Sequence, residues 1–284
     1  KFLKIIIILS MVTPFCVSAG GHGGGEDKAK ESVSLLAKER AKEIIQILRE
    51  GNFSHSGGVE AINILNSKVI PFAPDIQDVN SLEIGCGTGA ASNFMQKEGY
   101  NNLWAIDINE KAIEEAKIQY PSVNFQVSDV TKLTKIFEDD FFEFIYSFNV
   151  THAMKDKVPM LQRLKAISKK GTVLAIFDYY LKDEHSTDAI KNLSGNDMFP
   201  IKLSKFKMMM KILGWEIIEE VEVTDKYKFW HKAMLAKIEA RMDMLKGKNY
   251  TDDEIKLVVE RFQHLLDAIE SERLGGVILI AKKI

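Results

Sequence analysis

The chain has 284 residues, 46% of them hydrophobic and 27% charged, with a formal net charge of −2. That length and apolar content support one or two domains with a substantial core. No block of lysines and arginines exceeds three residues, so the sequence lacks the electrostatic footprint of a nucleic-acid partner.

At the start, Lys1 and Lys4 flank the apolar run Ile5 to Val12, and Val17 and Ala19 stand at the spacing of a signal-peptidase site. A cleaved leader over residues 1–19 is therefore expected, with a secreted or periplasmic location. The alternative is a cytoplasmic chain whose first segment belongs to the fold. The run is shorter than the ~20 residues that cross a bilayer, so no stable membrane span is expected in the mature chain. Beyond the leader Cys86 is the one cysteine, which leaves no intrachain disulfide to form.

Residues 20–50 read as a glycine-rich linker and a helix. The linker is Gly20 to Gly25; the helix, over 26–50, stacks Val33, Ala37, Ala41, Ile44, Ile45 and Leu48 on one face. A short helix is predicted over 58–70, before Pro71 and Pro74. From residue 81 strands and helices alternate. Strands are predicted at 81–84, 103–106, 123–127, 142–147 and 172–177, and helices at 90–97, 110–119 and 157–168. This rhythm implies a parallel sheet with right-handed crossovers. A helix over 203–213 and a strand over 215–223 follow. Next come a long helix over about 226–246 and one opened by a Thr251/Glu254 capping box. Gly275 and Gly276 are expected to end that helix, before a last strand over 277–281 that pairs with 215–223. The fold class is α/β. It is a Rossmann-like, seven-stranded, mostly parallel sheet over residues 51–284, with an N-terminal helix and a helical insertion at about 225–274 before the last strand.

The chemistry concentrates at strand ends. Leu82-Glu83-Ile84-Gly85-Cys86-Gly87-Thr88-Gly89 is a glycine turn after a strand, which lets a ligand approach bare backbone at a helix start. Gly85, Gly87 and Ala90 also satisfy the looser dinucleotide form G-x-G-x-x-A, so the turn alone does not choose the ligand. Glu83 places negative charge near an ammonium, which suits an amino acid and not a pyrophosphate. Asp107, with Ile108 beside it, ends the second strand where an acid accepts both ribose hydroxyls. Asp129, beside Val130, follows the third strand, where it accepts from an adenine amino group. Alternatively, Asp107 and Asp129 simply cap the turns or helices that follow them. Together these residues favour S-adenosylmethionine.

The segment 52–224 resembles the class I S-adenosylmethionine-dependent methyltransferases. A narrower likeness is carried by Asn52-Phe53-Ser54-His55-Ser56-Gly57-Gly58, by the Leu82–Gly89 turn, by Ile145-Tyr146-Ser147 through His152, and by Phe177-Asp178-Tyr179. These stretches are similar to phosphoethanolamine and sarcosine/dimethylglycine N-methyltransferases. The resemblance implies that Ser54, His55 and Ser56 close over the cofactor, and that His152 and Tyr179 lie at the acceptor. The helix over 26–50 lacks the tyrosine that partners this histidine in the family, and residues 148–151 are one residue short of its pattern.

Methyl transfer from a sulfonium is an in-line displacement in which positioning does much of the work, and a base is required when the nucleophile arrives protonated. His152 is the candidate base and Tyr179 the candidate acceptor contact, at the carboxyl edge where α/β sheets bind ligands. Trp230 and His231 lie on the inserted helix, where they either line a lid or pack as ordinary core. No metal-ligand pattern occurs, and the expected partner is a small-molecule acceptor, an amine. The rival reading is a cofactor-binding protein without catalysis, with a regulatory or interaction role.

Overall fold

A computed structural model describes residues 40–49, 51–72, 78–184 and 198–284. The expected leader, the linker and the first part of the helix over 26–50 lie outside these residues.

Helix α1 (residues 40–48) is followed by α2 (Gly58–Val69). The alternating region gives β1 (Asn80–Ile84), α3 (Ala90–Lys97), β2 (Asn102–Asp107), α4 (Glu110–Gln119), β3 (Asn124–Val127) and β4 (Phe142–Phe148). After it come α5 (Val158–Ile167), β5 (Ser168–Leu181), α6 (Leu203–Ile212) and β6 (Trp215–Glu222). Helices α7 (Thr224–Ala240), α8 (Met242–Gly247) and α9 (Asp252–Glu270) precede β7 (Leu274–Lys283). Short 3-10 turns cover Val130–Lys135 and Thr151–Ala153.

The seven strands form one sheet in the order β3-β2-β1-β4-β5-β7-β6. Strands β1 to β5 run parallel, while β7 is antiparallel to both β5 and β6. The expected pairing of the last strand with 215–223, and the insertion between them, are both present. The strand order reverses at β1 and β4, which places a crevice at their carboxyl ends.

Side-chain alternation builds a core on each face of the sheet. Phe144, Tyr146, Phe177, Tyr179, Ile278 and Ile280 face one way, over α2, α3 and α7. Ile145, Leu174, Ile176, Val277 and Leu279 face the other, over α5 and α6. Strands buried on both faces read as near-continuous apolar runs, and each fully buried leucine or isoleucine contributes roughly 1.5–3 kcal/mol. A third cluster joins α1 to the insertion through Ile44, Leu48, Met234, Ile238, Val258 and Phe262. The face expected along residues 41–48 is thus buried against helices that come two hundred residues later.

Strand β5 extends four residues beyond its expected 172–177 at each end, and the insertion and last strand differ from the sequence expectation too. The helix over 226–246 breaks at Arg241, whose φ of −113° and ψ of 16° are not helical. Helix α9 ends at Glu270, and the chain turns through Glu272 at φ 57°. Gly275 and Gly276 therefore lie inside β7, opposite Tyr180 and Tyr179. Their bareness serves packing. A Cβ on Gly276 would sit 2.0 Å from the Tyr227 ring, and one on Gly275 2.4 Å from the Tyr180 ring. The capping box forms as expected: Thr251 N–H donates to Glu254 at 2.9 Å, and Glu254 N–H donates to the Thr251 hydroxyl at 3.2 Å. Among the described residues no helix is long and apolar enough to cross a membrane.

Candidate active site

The glycine turn leaves β1 and opens α3. Gly85, Gly87 and Gly89 hold φ values of 69°, 54° and 83°, a region that side chains strain to enter. Space is equally short there. A Cβ on Gly85 would lie 2.3 Å from Val150, and one on Gly87 2.2 Å from the Ser54 hydroxyl. The Asn52–Gly57 segment thus lies directly over the turn, and Ser56 N–H ties it to Asn149 Oδ1 at 3.3 Å. His55 is buried and stacks on Phe148, with ring centroids 4.4 Å apart. Burial lowers its pKa to about 4, so the imidazole is neutral. Cys86, in the middle of the turn, is buried and its thiol is pushed up in pKa, which makes it a packing residue.

The acids at the strand ends converge on one cavity. It has a volume of about 390 Å³, and Gly85, Asp107, Ile108, Asp129, Val130 and Asn149 contribute to its wall. Asp107 accepts from Gly87 N–H at 2.8 Å and from Asn109 N–H at 2.9 Å, so it also braces the glycine turn. Asp129 accepts from Thr131 N–H at 2.9 Å and from the Thr131 hydroxyl at 2.8 Å, capping the turn that follows. The capping role and a place in the cavity wall coexist in both residues. Ile108 is 74% exposed at the cavity edge, an apolar plate next to two carboxylates. Glu83 differs. It is buried, takes no part in that wall, and accepts from the Ser92 hydroxyl at 2.5 Å and the Tyr146 hydroxyl at 3.2 Å. Burial raises its pKa to about 7. Glu83 therefore locks α3 and β4 beneath the turn.

A second group lies at the carboxyl ends of β4 and β5. His152 Nδ1 stands 2.7 Å from Asp178 Oδ1, and His152 N–H donates to Asp178 Oδ2 at 3.1 Å. Asp178 is fully buried and also accepts from Tyr179 N–H at 2.7 Å. A carboxylate can only accept, so His152 Nδ1 carries a proton toward Asp178. Tyr179 meets the His152 ring edge-on at 5.4 Å, and its hydroxyl lies 3.0 Å from His231 Nε2. Behind it, Tyr227 accepts from Asn149 Nδ2 at 2.5 Å.

The expected residues thus fall into two neighbouring groups. Gly85, Gly87, Gly89, Asp107, Ile108, Asp129, Val130, Ser54 and His55 surround the turn; His152 and Tyr179 sit beyond Asn149. Sequence reasoning gave no role to Asp178 as the partner of His152, although its place one residue before Tyr179 was a usable signal. It also missed Arg49, whose Nη1 donates to the carbonyls of Phe53 and Ser54 and so holds the segment over the turn. Trp230 is buried as core, yet with Met234 it also lines a separate cavity. Among the described residues no cluster of three or more His, Cys, Asp or Glu side chains is arranged to hold a metal.

The donor set suits S-adenosylmethionine: bare backbone at a helix start, an acid for a ribose at Asp107, and an acid beside apolar Val130 for an adenine. Comparison with known proteins agrees. Residues 82–176 match the family described as "Methyltransferase domain". The chain is 27% identical over 106 residues to 2-methyl-6-phytyl-1,4-hydroquinone methyltransferase from Synechocystis, covering 36% of this chain and 33% of that protein. It is 24% identical over 209 residues to phosphoethanolamine N-methyltransferase 3 from Arabidopsis thaliana, covering 71% of this chain and 42% of that one. The chain therefore spans less than half the length of these two relatives. Among solved structures, Haemonchus contortus phosphoethanolamine N-methyltransferase 2 with S-adenosyl-L-methionine superposes with a TM-score of 0.75 at 19% identity, over 86% of this chain and 56% of that one. Geranyl diphosphate C-methyltransferase from Streptomyces coelicolor A3(2) gives 0.62 at 9% identity, over 80% and 76%. At these identities the structural likeness speaks for the fold. Residues 82–176 of this chain are a methyltransferase domain of class I, the S-adenosylmethionine-dependent type.

Proposed function

We propose that the chain transfers a methyl group from S-adenosylmethionine to a small-molecule acceptor, an amine, with His152 as the base. The observation that carries this reading is the 2.7 Å contact between His152 Nδ1 and the buried Asp178, one loop away from the glycine turn. Bound S-adenosylmethionine would supply a methyl group on a sulfonium, already activated for displacement. Asp107 and Asp129 would hold its adenosine half, and the backbone of Gly85 to Gly89 would receive its methionine half. Ser54 and His55 cover the turn and exclude water from it. An amine reaches the site as an ammonium at neutral pH and must lose a proton before it can attack. His152 Nε2 takes that proton, while Asp178 fixes the ring orientation and stabilises the imidazolium that results. Tyr179, packed on His152, shapes the wall against which the acceptor is held.

Calorimetry with S-adenosylhomocysteine and a turnover assay against a broad amine library test this reading. The expected result is cofactor binding together with acceptor-dependent release of S-adenosylhomocysteine. Binding without turnover across amines and phenols would favour the rival reading, a cofactor-binding protein without catalysis. We also propose that residues 1–19 are removed on export. The sequenced N-terminus of the mature protein is then Gly20, and an intact leader on a cytosolic protein would end that idea.

A further inference from the structure

Residues 198–201 lie across the carboxyl end of β5 and hold both members of the acceptor group by their backbone. Phe199 N–H donates to the His152 carbonyl at 2.6 Å, and Ile201 N–H donates to the Tyr179 carbonyl at 3.0 Å. Leu181 N–H donates to the Ile201 carbonyl at 2.8 Å, and Ile201 bridges to Tyr180 as in a parallel pair. Pro200, between the two donors, has no N–H of its own.

A lysine ties this segment to the turn that carries His152. Lys157 stands just before α5 and is buried. Its Nζ donates to the Met154 carbonyl at 2.7 Å and to the Phe199 carbonyl at 2.8 Å. Met154 directly follows the Thr151–Ala153 turn. Phe199 is therefore held twice, through its N–H by His152 and through its carbonyl by Lys157. His152 is held at three points: its ring and its N–H on Asp178, and its carbonyl on Phe199.

An ammonium is a costly occupant of this place. Among the described residues no carboxylate bonds to Lys157. Burial lowers its pKa to about 8, which Asp178 and Asp156 oppose only in part. The cavity it helps to line, about 530 Å³, is walled largely by Leu181, Met198, Phe206 and Met209. A methionine of similar length would suit those surroundings without the desolvation cost. It could not donate to two carbonyls at once, and that charge-assisted pair is what the lysine contributes.

We propose that Lys157 is a positioning residue for methyl transfer: by joining the His152 turn to residues 198–201, it sets where the His152 ring stands against Tyr179 and the acceptor. This rests on the methyl-transfer reading and adds a residue to it. The test compares wild type with Lys157→Met, which keeps the length and removes the donors, and with Lys157→Arg, which keeps the charge. Lys155→Met, at another lysine of the same cavity, is the control. Steady-state kinetics give kcat and KM for the acceptor, and calorimetry gives S-adenosylhomocysteine affinity. Proton NMR follows the low-field Nδ1–H resonance of His152, assigned by its loss in His152→Gln, and urea unfolding follows stability.

Lys157→Met should lower kcat at least tenfold with acceptor KM within threefold and S-adenosylhomocysteine affinity within twofold. Its His152 resonance should shift or broaden. Lys157→Arg should recover part of the lost kcat, and Lys155→Met should match wild type in every readout. A lower urea midpoint with kcat and the resonance unchanged would overturn the proposal and leave the lysine a purely structural clip. Equal losses in Lys155→Met would overturn it too. Should the methionine variant not fold, Lys157→Gln, which can reach one carbonyl, carries the same test. A wild type without acceptor-dependent turnover would sink the methyl-transfer reading instead, and the resonance alone would then decide whether Lys157 places His152.

Discussion

At the residue scale, two acids show what burial decides. Asp178 is held by three donors, and its role is orientation. Replacing His152 with Gln should lower kcat by about 10²–10⁴-fold, the range of a general base, with S-adenosylhomocysteine affinity within twofold. Single-turnover kinetics beside calorimetry check this, and an unchanged kcat would remove the histidine from the mechanism. Glu83 makes a stability prediction. Its pKa of about 7 in the folded chain exceeds the ordinary value of 4.5, so the native state keeps a proton that the unfolded chain releases. That contribution is complete below about 4.5 and is lost as pH rises through 7. Asp107, close by, disfavours the charged form further. The buried histidines act oppositely. His55 and His231, lowered to about 4 and about 3, cost stability as pH falls below 6.5. Glu83→Gln is neutral throughout, so urea midpoints from pH 5 to pH 8 should move in its favour over wild type by about 1–3 kcal/mol. A constant difference across that range would show that Glu83 does not titrate there.

At the element scale, β7 is the clearest case. Gly276 faces Tyr179 across the β5–β7 ladder, and the Tyr227 ring occupies the place where a side chain would stand. Gly276→Ala should destabilise the fold by about 1–3 kcal/mol through overpacking. It should also displace Tyr227, which accepts from Asn149 beside the cofactor cavity. Denaturant unfolding and S-adenosylhomocysteine affinity should therefore fall together in this variant, whereas a purely local strand effect would move stability alone.

At the scale of the whole molecule, burial grades the sheet from centre to edge. Strand β7 is buried along most of its length, while β3 buries one residue of four and β6 is mostly half-buried. Amide hydrogen exchange should therefore be slowest in β4, β5 and β7 and fastest in β3. Adding S-adenosylhomocysteine should slow exchange at residues 85–89, 107–109 and 128–131, which share one end of three strands. Protection confined to residues 225–270 instead would place the ligand in the insertion.

The sequence by itself determined the strand–helix alternation, the glycine turn and the acids that follow the next two strands. These are local signals: apolar periodicity, bare backbone, and an acid a fixed distance past a strand. It also placed the insertion, because the capping box and the apolar stripe are written in neighbouring residues. Only the tertiary structure decided that Glu83 turns inward, since burial depends on Ser92 and Tyr146 arriving from other elements. It alone decided that Gly275 and Gly276 make room for tyrosine rings rather than end a helix. And it alone brought His152 to Asp178. Electrostatic energy depends on distance through space, and spacing along the chain does not encode that distance.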